Sequence, residues 1–287
     1  IQSQKKPILG KYFKNKVFFV IRTVDYLIIG SGLAGLSAAL ELPSHAKVLV
    51  ITRAKVDEGS SPWAQGGIAA AVSDDDNFKS HYNDTLEAGA YLCKEESVKI
   101  LTQEGPKAIQ SLIEWGVQFS KSHPDSIYPY HLALEGGHSK ARILNAKDLT
   151  GWEIIRALVA ECKNRPNIEI LEYHQALDLV TEQENGHTRV IGAELLDLKN
   201  CVNKQFCAKA VFLSTGGAAQ AYPHTTNPEV STGDGMAMAL RAGAQLEDME
   251  FVQFHPTSLY EEKLNKTSSF LISEALRGEG AILRNHE

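Results

Sequence analysis

Three glycines in one short segment have the spacing of a phosphate-binding turn. The segment is a Gly-x-Gly-x-x-Gly pattern made of Gly30, Ser31, Gly32, Leu33, Ala34 and Gly35. In this pattern the first glycine makes a tight turn, the second lets backbone approach a pyrophosphate, and the third lets a helix pack on a strand. The amides and positive dipole of the following helix would face the phosphates. The pattern therefore predicts nucleotide binding, and a glycine turn in an unrelated α/β protein is the alternative.

The residues on either side of the turn have the pattern of a βαβ unit. Residues 24–29 form a β-branched apolar run that predicts a buried strand, residues 33–42 predict a helix, and residues 47–51 predict a second, parallel strand. Apolar residues have helical spacing from residue 78 to residue 116. Within this range, Gly105-Pro106 predicts a break in the helix. A further helix is expected at residues 152–162.

The pattern changes after a strand predicted at residues 168–172. Three strand-like runs follow at residues 176–181, 189–197 and 206–213, separated by the turn-prone segments Glu184-Asn185-Gly186 and Lys199-Asn200. These runs predict a three-stranded antiparallel meander appended to the parallel sheet.

The position that usually selects the nucleotide does not hold its usual acid. An Asp or Glu about 20 residues after the glycine turn commonly binds a ribose hydroxyl. Thr52 and Arg53 stand there instead, and Arg53 would suit a 2′-phosphate. The residues of this unit alone leave NAD, NADP and FAD open.

The segment that follows, residues 58–70, reads EGSSPWAQGGIAA. As a bare sequence it could be a flexible loop, but it closely resembles the flavin-contacting loop of the succinate dehydrogenase, fumarate reductase and L-aspartate oxidase superfamily. The resemblance implies that small residues here let backbone amides reach FAD. The residues concerned are Ser60, Ser61, Ala64, Gln65, Gly66 and Gly67. A histidine that bonds the flavin in the covalent members is Ser60 here, which implies noncovalent FAD.

Later segments match the same superfamily in order. Residues 214–217 (STGG) place Gly216 at a second backbone approach to the cofactor, and residues 231–235 (STGDG) open a helix through residues 236–240. Asp234 could cap that helix, whereas the resemblance assigns it to a ribose hydroxyl of FAD, and both roles can coexist. The resemblance also implies that Arg53 and Ala176 contact the cofactor.

Three segments are similar to those of the L-aspartate oxidase family: residues 135–139 (EGGHS), 253–257 (QFHPT) and 273–280 (SEALRGEG). The resemblance assigns Glu135 to the ammonium group of the substrate and His255 to a substrate carboxylate. Ser273 stands where the family has a carboxylate-binding threonine. An acid opposite the ammonium would distinguish aspartate from succinate, which lacks that charge.

The resemblance implies oxidation of L-aspartate to iminoaspartate, with oxygen or fumarate as electron acceptor, as the first step of quinolinate and NAD biosynthesis. Handover of iminoaspartate to quinolinate synthase is an implied partnership. A soluble fumarate reductase or succinate dehydrogenase flavoprotein and a nonenzymatic nucleotide-binding fragment are the alternatives.

The implied fold is α/β: a Rossmann-like FAD-binding domain with a parallel sheet and an antiparallel meander, plus the start of an α+β capping domain. The expected divisions are an N-terminal extension (1–23), the FAD-binding domain (24–248) and the beginning of the capping domain (249–287). The family's later arginines, histidine and serine, and the segment that returns to the flavin site, would follow Glu287. We therefore expect the FAD domain to be incomplete and activity of this chain to be impaired.

Composition excludes several other classes. A net charge of −6 gives no general attraction to nucleic acid, and the early apolar run at residues 17–21 is far too short to span a bilayer. Cys93, Cys162, Cys201 and Cys207 have no metal-ligand spacing and are expected to be reduced thiols of a cytoplasmic protein. The histidines are also too far apart to predict a metal site.

Overall fold

The computed structural model describes residues 20–255, 257–259, 268–272, 276, 280–282 and 284–285. Its strands are β1 (Val20–Ile29), β2 (Val48–Ile51), β3 (Ile68–Ala69), β4 (Leu132–Ala133), β5 (Ile143–Leu144), β6 (Ile168–Leu171), β7 (His174–Glu184), β8 (His187–Asp197) and β9 (Val202–Leu213). Its helices are α1 (Leu33–Glu41), α2 (Phe78–Ala88), α3 (Glu95–Glu114), α4 (Thr150–Asn164) and α5 (Asp234–Arg241).

The main sheet combines parallel and antiparallel pairing. Its strand order is β6-β2-β1-β9-β8-β7. Strands β6, β2, β1 and β9 pair in parallel, whereas β7, β8 and β9 pair antiparallel. Strand β9 therefore belongs to both parts, which confirms the predicted α/β fold with an antiparallel meander.

The first strand is longer than its apolar pattern predicts, because it begins at Val20 and not at Val24. Its early residues pair with β9, where Val20 lies opposite Gln205 and Arg22 opposite Phe206. Arg22 also donates to Glu169 of β6, with 2.7 Å between Nη1 and Oε1. Residues 20–23, assigned from the sequence to an extension, are thus part of the sheet.

The meander turns where its sequence predicts. Asn185 and Gly186 have φ angles of 52° and 80°, which are the positive values that a two-residue hairpin loop requires. Backbone pairing continues up to the loop, with Glu184 opposite His187. The strands consequently extend beyond the apolar runs from which they were predicted, since edge hairpins tolerate polar residues that a core strand would not.

Side chains of the central strands alternate between two cores. Ile28 and Val50 face one side and join a cluster with Leu36 of α1 and Leu158 of α4. The neighbouring Leu27 and Leu49 face the other side, packed with residues of β7, β8 and α5. Because both faces are covered, β2 is buried at every position, as its unbroken apolar run predicts.

The predicted helical break is wrong in position. The chain leaves the helical path after Ala88, where Ala90 and Tyr91 have φ angles of 49° and 59°, whereas Pro106 lies inside the continuous helix α3. A proline removes only one backbone hydrogen bond, and the buried side chains of Val98, Thr102, Ile109 and Leu112 hold the two halves of α3 against one surface.

A second, small sheet was not predicted. Its order is β3-β5-β4, and both pairings are antiparallel. Strands of two residues carry too little pattern to be recognised. Strand β3 is part of the residue 58–70 loop, so the pairing of β3 with β5 helps to fix the position of that loop. Within the described ranges, no helix is long and apolar enough to cross a membrane.

Candidate functional site

A cleft of about 570 Å³ opens at the carboxyl ends of β1, β2 and β9, at Ile29, Ile51 and Leu213. Ligands commonly bind at this edge of a parallel sheet. The residues predicted to bind cofactor that line the cleft are Gly30, Ser31, Gly32, Leu33, Ala34, Arg53, Ser60, Ser61, Ala176, Gly216 and Asp234. Gly35, Ala64, Gln65, Gly66 and Gly67 do not line it.

The glycine turn is fixed by close backbone contacts. Gly30 has a φ angle of 116°, and a Cβ at this position would lie 2.1 Å from the Ser214 carbonyl oxygen. A Cβ on Gly35 would lie 2.0 Å from the Gly30 carbonyl oxygen. Gly35 therefore serves the packing of α1 on the turn, which explains why it does not line the cleft.

The start of α1 offers backbone donors to a ligand. Gly32 is the N-cap and supplies no side-chain cap, while the Leu33 amide donates to Ser61 Oγ at 3.1 Å. The geometry of a helix leaves the amides of Ala34 and Gly35 without intrahelical acceptors. Free amides, the helix dipole and a turn that excludes side chains together fit a pyrophosphate group.

Ser60 is held by hydroxyl and amide groups across the cleft. Its Oγ donates to Asn227 Oδ1 at 2.8 Å and lies 2.9 Å from Ser231 Oγ. These contacts join the residue 58–70 loop to the segment that precedes α5. A serine held in these contacts, in the place of the histidine of the covalent members, suits a cofactor held by noncovalent contacts.

Residues 64–67 contact the small sheet and helix α4. The Gly151 amide donates to the Ala64 carbonyl oxygen at 2.9 Å, and Thr150 Oγ1 donates to the Gly66 carbonyl oxygen. A Cβ on Gly67 would lie 2.3 Å from Ile143 Cγ2. Backbone contacts thus fix the conformation of this loop.

Gln65 has a buried side-chain acceptor. Its Oε1 is buried and has no hydrogen-bond partner in the part of the chain that the structure describes, whereas Nε2 lies 3.5 Å from the Leu271 carbonyl oxygen. Buried acceptors are nearly always paired in a complete structure. Gln65 does not line the cleft, so its predicted contact with the cofactor stays a prediction.

Glu135 approaches this loop. A Cβ built on Gly66 would lie 3.5 Å from Glu135 Oε1 and 3.9 Å from Oε2. The structure thus brings a carboxylate from the connection between β4 and β5 to the loop that resembles a flavin contact. Nothing in the sequence between these segments specifies that approach, since the small sheet creates it.

Asp234 does not cap α5 with its side chain. The N-cap is Gly233, which has a φ angle of 78°, and Asp234 is the first helical residue. Asp234 Oδ2 accepts hydrogen bonds from Arg53 Nη1 at 3.0 Å and from Gln175 Nε2 at 3.4 Å. The carboxylate is therefore held at the wall of the cleft, where it can accept a hydrogen bond from a ligand hydroxyl.

Some cleft residues were not among those predicted. His174 and Gln175 line it beside Ala176, and Leu246 lines it after α5. His174 is buried and lies at the first position of β7, where one of its ring nitrogens is 2.8 Å from the Glu172 carbonyl oxygen. The position of His174 and Gln175 next to Ala176 was the one sequence signal that they line the cleft. A polar residue at the start of a strand more often faces solvent, so that signal is weak.

His255 lies outside this cleft. The Thr257 amide donates to His255 Nδ1 at 3.2 Å, which assigns the proton of the neutral ring to Nε2. Thr257 Oγ1 in turn lies 3.2 Å from the Ile272 carbonyl oxygen. Ile272 follows Leu271, the residue that Gln65 approaches. Ser273 and Pro256 lie outside the described residues, so the predicted role of Ser273 stays a prediction.

The comparisons with known proteins agree with a flavin cleft. The family model described as FAD binding domain matches residues 25–287. The L-aspartate oxidase of Pseudomonas aeruginosa is 46% identical over 266 residues, which are 91% of this chain and 49% of that protein. The chloroplastic L-aspartate oxidase of Arabidopsis thaliana is 46% identical over 91% of this chain and 41% of its own length.

Solved structures are similar as well. A mutant FrdA of E. coli quinol fumarate reductase has a TM-score of 0.84 and 34% identity, covering 93% of this chain and 44% of that one. The Sdh1 complex of Mycobacterium smegmatis in the apo form has a TM-score of 0.79 and 30% identity, covering 93% and 46%.

The chain spans about half the length of the curated relatives that it matches. The match to the family model covers the glycine turn, the loop at residues 58–70, Asp234 and the segments around Glu135 and His255. The chain belongs to the FAD binding domain family, its cofactor is FAD, and it is similar in sequence to L-aspartate oxidases.

Proposed function

We propose that the protein to which this chain belongs oxidises L-aspartate to iminoaspartate with FAD. The observation that carries the proposal is the position of Glu135, whose Oε1 lies 3.5 Å from the Cβ position of Gly66 in the AQGG loop. A carboxylate beside a flavin loop attracts a substrate that carries an ammonium group and disfavours one that does not. FAD would accept the hydride that leaves the substrate Cα, and the substrate nitrogen would release a proton to water, which leaves iminoaspartate and reduced FAD.

The protein residues would bind and orient the substrate. Glu135 would receive the ammonium group, and His255 would donate from Nε2 to one carboxylate of the substrate. Ser273 would donate its hydroxyl to the same carboxylate. Holding the ammonium group and one carboxylate of a short dicarboxylate restricts its rotation, so that the Cα–H bond has one orientation relative to the cofactor.

The residues of the cleft would bind the rest of FAD. The amides of Ala34 and Gly35 would face the pyrophosphate, and Asp234 would accept from a ribose hydroxyl. Arg53, Ala176 and Gly216 would contact the cofactor at the wall of the cleft. Ser60, with its hydroxyl directed to Asn227 and Ser231, supports noncovalent attachment.

Oxygen or fumarate would accept the electrons afterwards, and the name of the similar E. coli protein, quinol fumarate reductase, supports the second of these acceptors. Iminoaspartate is unstable in water, which makes handover to quinolinate synthase a reasonable next step. The cysteines of this chain are free, which suits the reducing conditions of the cytoplasm.

The rival function is that of a soluble fumarate reductase or succinate dehydrogenase flavoprotein, favoured by the 34% identity to FrdA over most of this chain. The two functions differ in what Glu135 has to do. Succinate has two carboxylates and no ammonium group. The Glu135 carboxylate near the flavin loop would therefore repel succinate.

Anaerobic flavin bleaching tests the proposal. The reading frame that contains this chain would be expressed with its natural ends, loaded with FAD, and mixed with L-aspartate or succinate without oxygen. Bleaching of the absorption band of oxidised flavin by L-aspartate and not by succinate is expected. Glu135→Gln should lose the response to L-aspartate, and the exposed Glu87→Gln should keep it.

Bleaching by succinate alone would establish the rival function. The same assay on the 287-residue chain, followed by admission of oxygen and measurement of peroxide, tests whether it is a nonenzymatic nucleotide-binding fragment. Peroxide formed by that chain would exclude the nonenzymatic alternative.

A further inference from the structure

Arg142 has a fully buried guanidinium group outside the cleft, held by two aspartates. Nε donates to Asp76 Oδ2 at 2.7 Å and Nη2 donates to Asp76 Oδ1 at 2.9 Å, while Nη1 donates to Asp84 Oδ2 at 2.6 Å. The side chains of Arg142 and Asp76 are 0% exposed, and that of Asp84 is 14% exposed. A buried charge is stable only when its donors are matched in this way.

The cluster of Arg142, Asp76 and Asp84 also holds the end of the EGGHS segment. Asp84 Oδ2 accepts from the Ser139 amide and from Ser139 Oγ, both at 2.8 Å. Arg142 Nη1 lies 3.4 Å from His138 Nδ1, and Nη2 donates to Ser80 Oγ at 3.0 Å. Helix α2 carries Ser80 and Asp84, so Arg142 and α2 together fix residues 138 and 139.

The electrostatics support a fixed arrangement. Burial acts to raise the pKa of Asp84, but hydrogen bonds from Ser139 and Arg142 outweigh it and hold the pKa below its usual value. Asp84 is therefore ionised at neutral pH and accepts all of these hydrogen bonds. Charge-assisted bonds of this kind are roughly twice as strong as neutral ones.

Backbone contacts connect this cluster to Glu135 and to the flavin loop. The His138 amide donates to the Glu135 carbonyl oxygen at 3.3 Å, which closes a turn over Gly136 and Gly137. The Ala70 amide donates to the Arg142 carbonyl oxygen at 3.1 Å, immediately after the AQGG loop and strand β3. Arg142 thus contacts the flavin-loop strand by its backbone and the Glu135 turn by its side chain.

We propose that Asp84 and Arg142 are positioning residues that hold the turn of Glu135 to Ser139, and thereby set the preference of the site for an ammonium-bearing dicarboxylate. They would act through Glu135 and would touch neither substrate nor FAD. The proposal rests on the proposed function of Glu135. It adds that specificity depends on the buried ion cluster of Arg142, Asp76 and Asp84.

The test compares L-aspartate with succinate in the FAD-loaded, full-length protein. The dissociation constant of L-aspartate comes from the concentration dependence of anaerobic flavin reduction, and that of succinate from its competitive inhibition. For Asp84→Asn we expect L-aspartate to bind about tenfold more weakly and succinate to change by less than about twofold, as one lost charge-assisted contact would give. Glu87→Gln, at an exposed acid of the same helix, is the matched control.

A role limited to folding would weaken both ligands alike, and that result would overturn the proposal. The milder Ser139→Ala removes only a hydroxyl, and it decides the matter if Asp84→Asn fails to fold. Ser139→Ala should shift the ratio of the two constants in the same direction, and an unchanged ratio in a folded protein would contradict the proposal.

A double-mutant cycle separates this proposal from the proposed function. In the Glu135→Gln background, Asp84→Asn should no longer alter the ratio of the two constants. If Glu135→Gln itself leaves the ratio unchanged, the assigned role of Glu135 is wrong. If Glu135→Gln changes the ratio and Asp84→Asn does not, only the positioning role is wrong.

Discussion

Arg53 and Asp234 form an ion pair, with 3.0 Å between Nη1 and Oδ2, that joins the end of β2 to the first turn of α5 across the cleft. The two residues are 181 positions apart in the chain. Arg53 Nη2 also donates to the Glu229 carbonyl oxygen at 3.1 Å, so Arg53 holds both the carboxylate and the segment before the helix. The pair presents Asp234 to whatever occupies the cleft.

Asp234→Ala is expected to weaken FAD binding by about tenfold or more, because a charge-assisted hydrogen bond contributes about 1.5–3 kcal/mol. Quenching of flavin fluorescence during titration measures this affinity. The matched control is Asp178→Ala, which removes the 3.0 Å ion pair with Arg241 at comparable exposure and away from the cleft. Equal losses of affinity in both variants would show that Asp234 has no contact with FAD.

Gly30→Ala is expected to lower the free energy of unfolding by at least about 2 kcal/mol, since it adds a Cβ where φ is positive and backbone is close. The added atom would lie 2.1 Å from the Ser214 carbonyl oxygen. Chemical denaturation measures the change. Gly59→Ala lines the same cleft and has no atom within 4 Å of its Cβ, so it should be nearly neutral. A stable Gly30→Ala protein would refute the described turn.

The neutral His255 ring is expected to carry its proton on Nε2, because Nδ1 accepts from the Thr257 amide. Heteronuclear NMR of isotope-labelled histidine at mildly alkaline pH distinguishes the two tautomers. His255→Gln assigns the signal by removing it. A proton found on Nδ1 would be incompatible with the Thr257 contact and with donation from Nε2 to a carboxylate.

His81 should make stability depend on pH. Burial lowers the pKa of His81 from its ordinary value of 6.5, and the nearby charges of Arg142 and His138 lower it further. Its stabilising contribution is therefore complete above pH 6.5 and is lost as pH falls through that value toward the folded-state pKa.

Thermal unfolding between about pH 7.5 and pH 5.5 measures this effect. We expect the melting temperature to fall less steeply in His81→Phe, which keeps an aromatic ring beside His138, whose ring centroid lies 5.7 Å from that of His81. His187→Phe, at an exposed histidine of the β7–β8 hairpin, should leave the slope unchanged. The same slope in all three proteins would contradict the assignment.

Local signals account for the parts of the fold that sequence predicted. The glycines at 30 and 35 and the alternation around Leu27 and Ile28 are short-range features, and they indicate a βαβ unit without knowledge of its partners. The Asn185-Gly186 turn likewise specifies its hairpin directly. The early part of β1 was missed because its partner, β9, lies far along the chain.

The site was predicted less completely than the fold, because several of its contacts join residues that are far apart in the chain. The residues of the glycine turn and the residue 58–70 loop form continuous motifs, whereas the approach of Glu135 to Gly66 depends on the pairing of two-residue strands. The sequence places Arg142 near Glu135 but gives no sign of its full burial, since arginine is rarely fully buried. Its partner Asp76 is 66 positions away, and no local pattern announces such a pair.

The position of β9 between β1 and β8 has a consequence for how the cleft arises during folding. The hairpins of β7, β8 and β9 need only short-range contacts, but β1 and β9 pair across most of the chain, a step that carries a large loop-closure cost. Gly30 and Ser214 follow these two strands directly, so the cleft exists only after they have paired. FAD can then bind only the paired state, and its binding energy opposes the separation of the two strands.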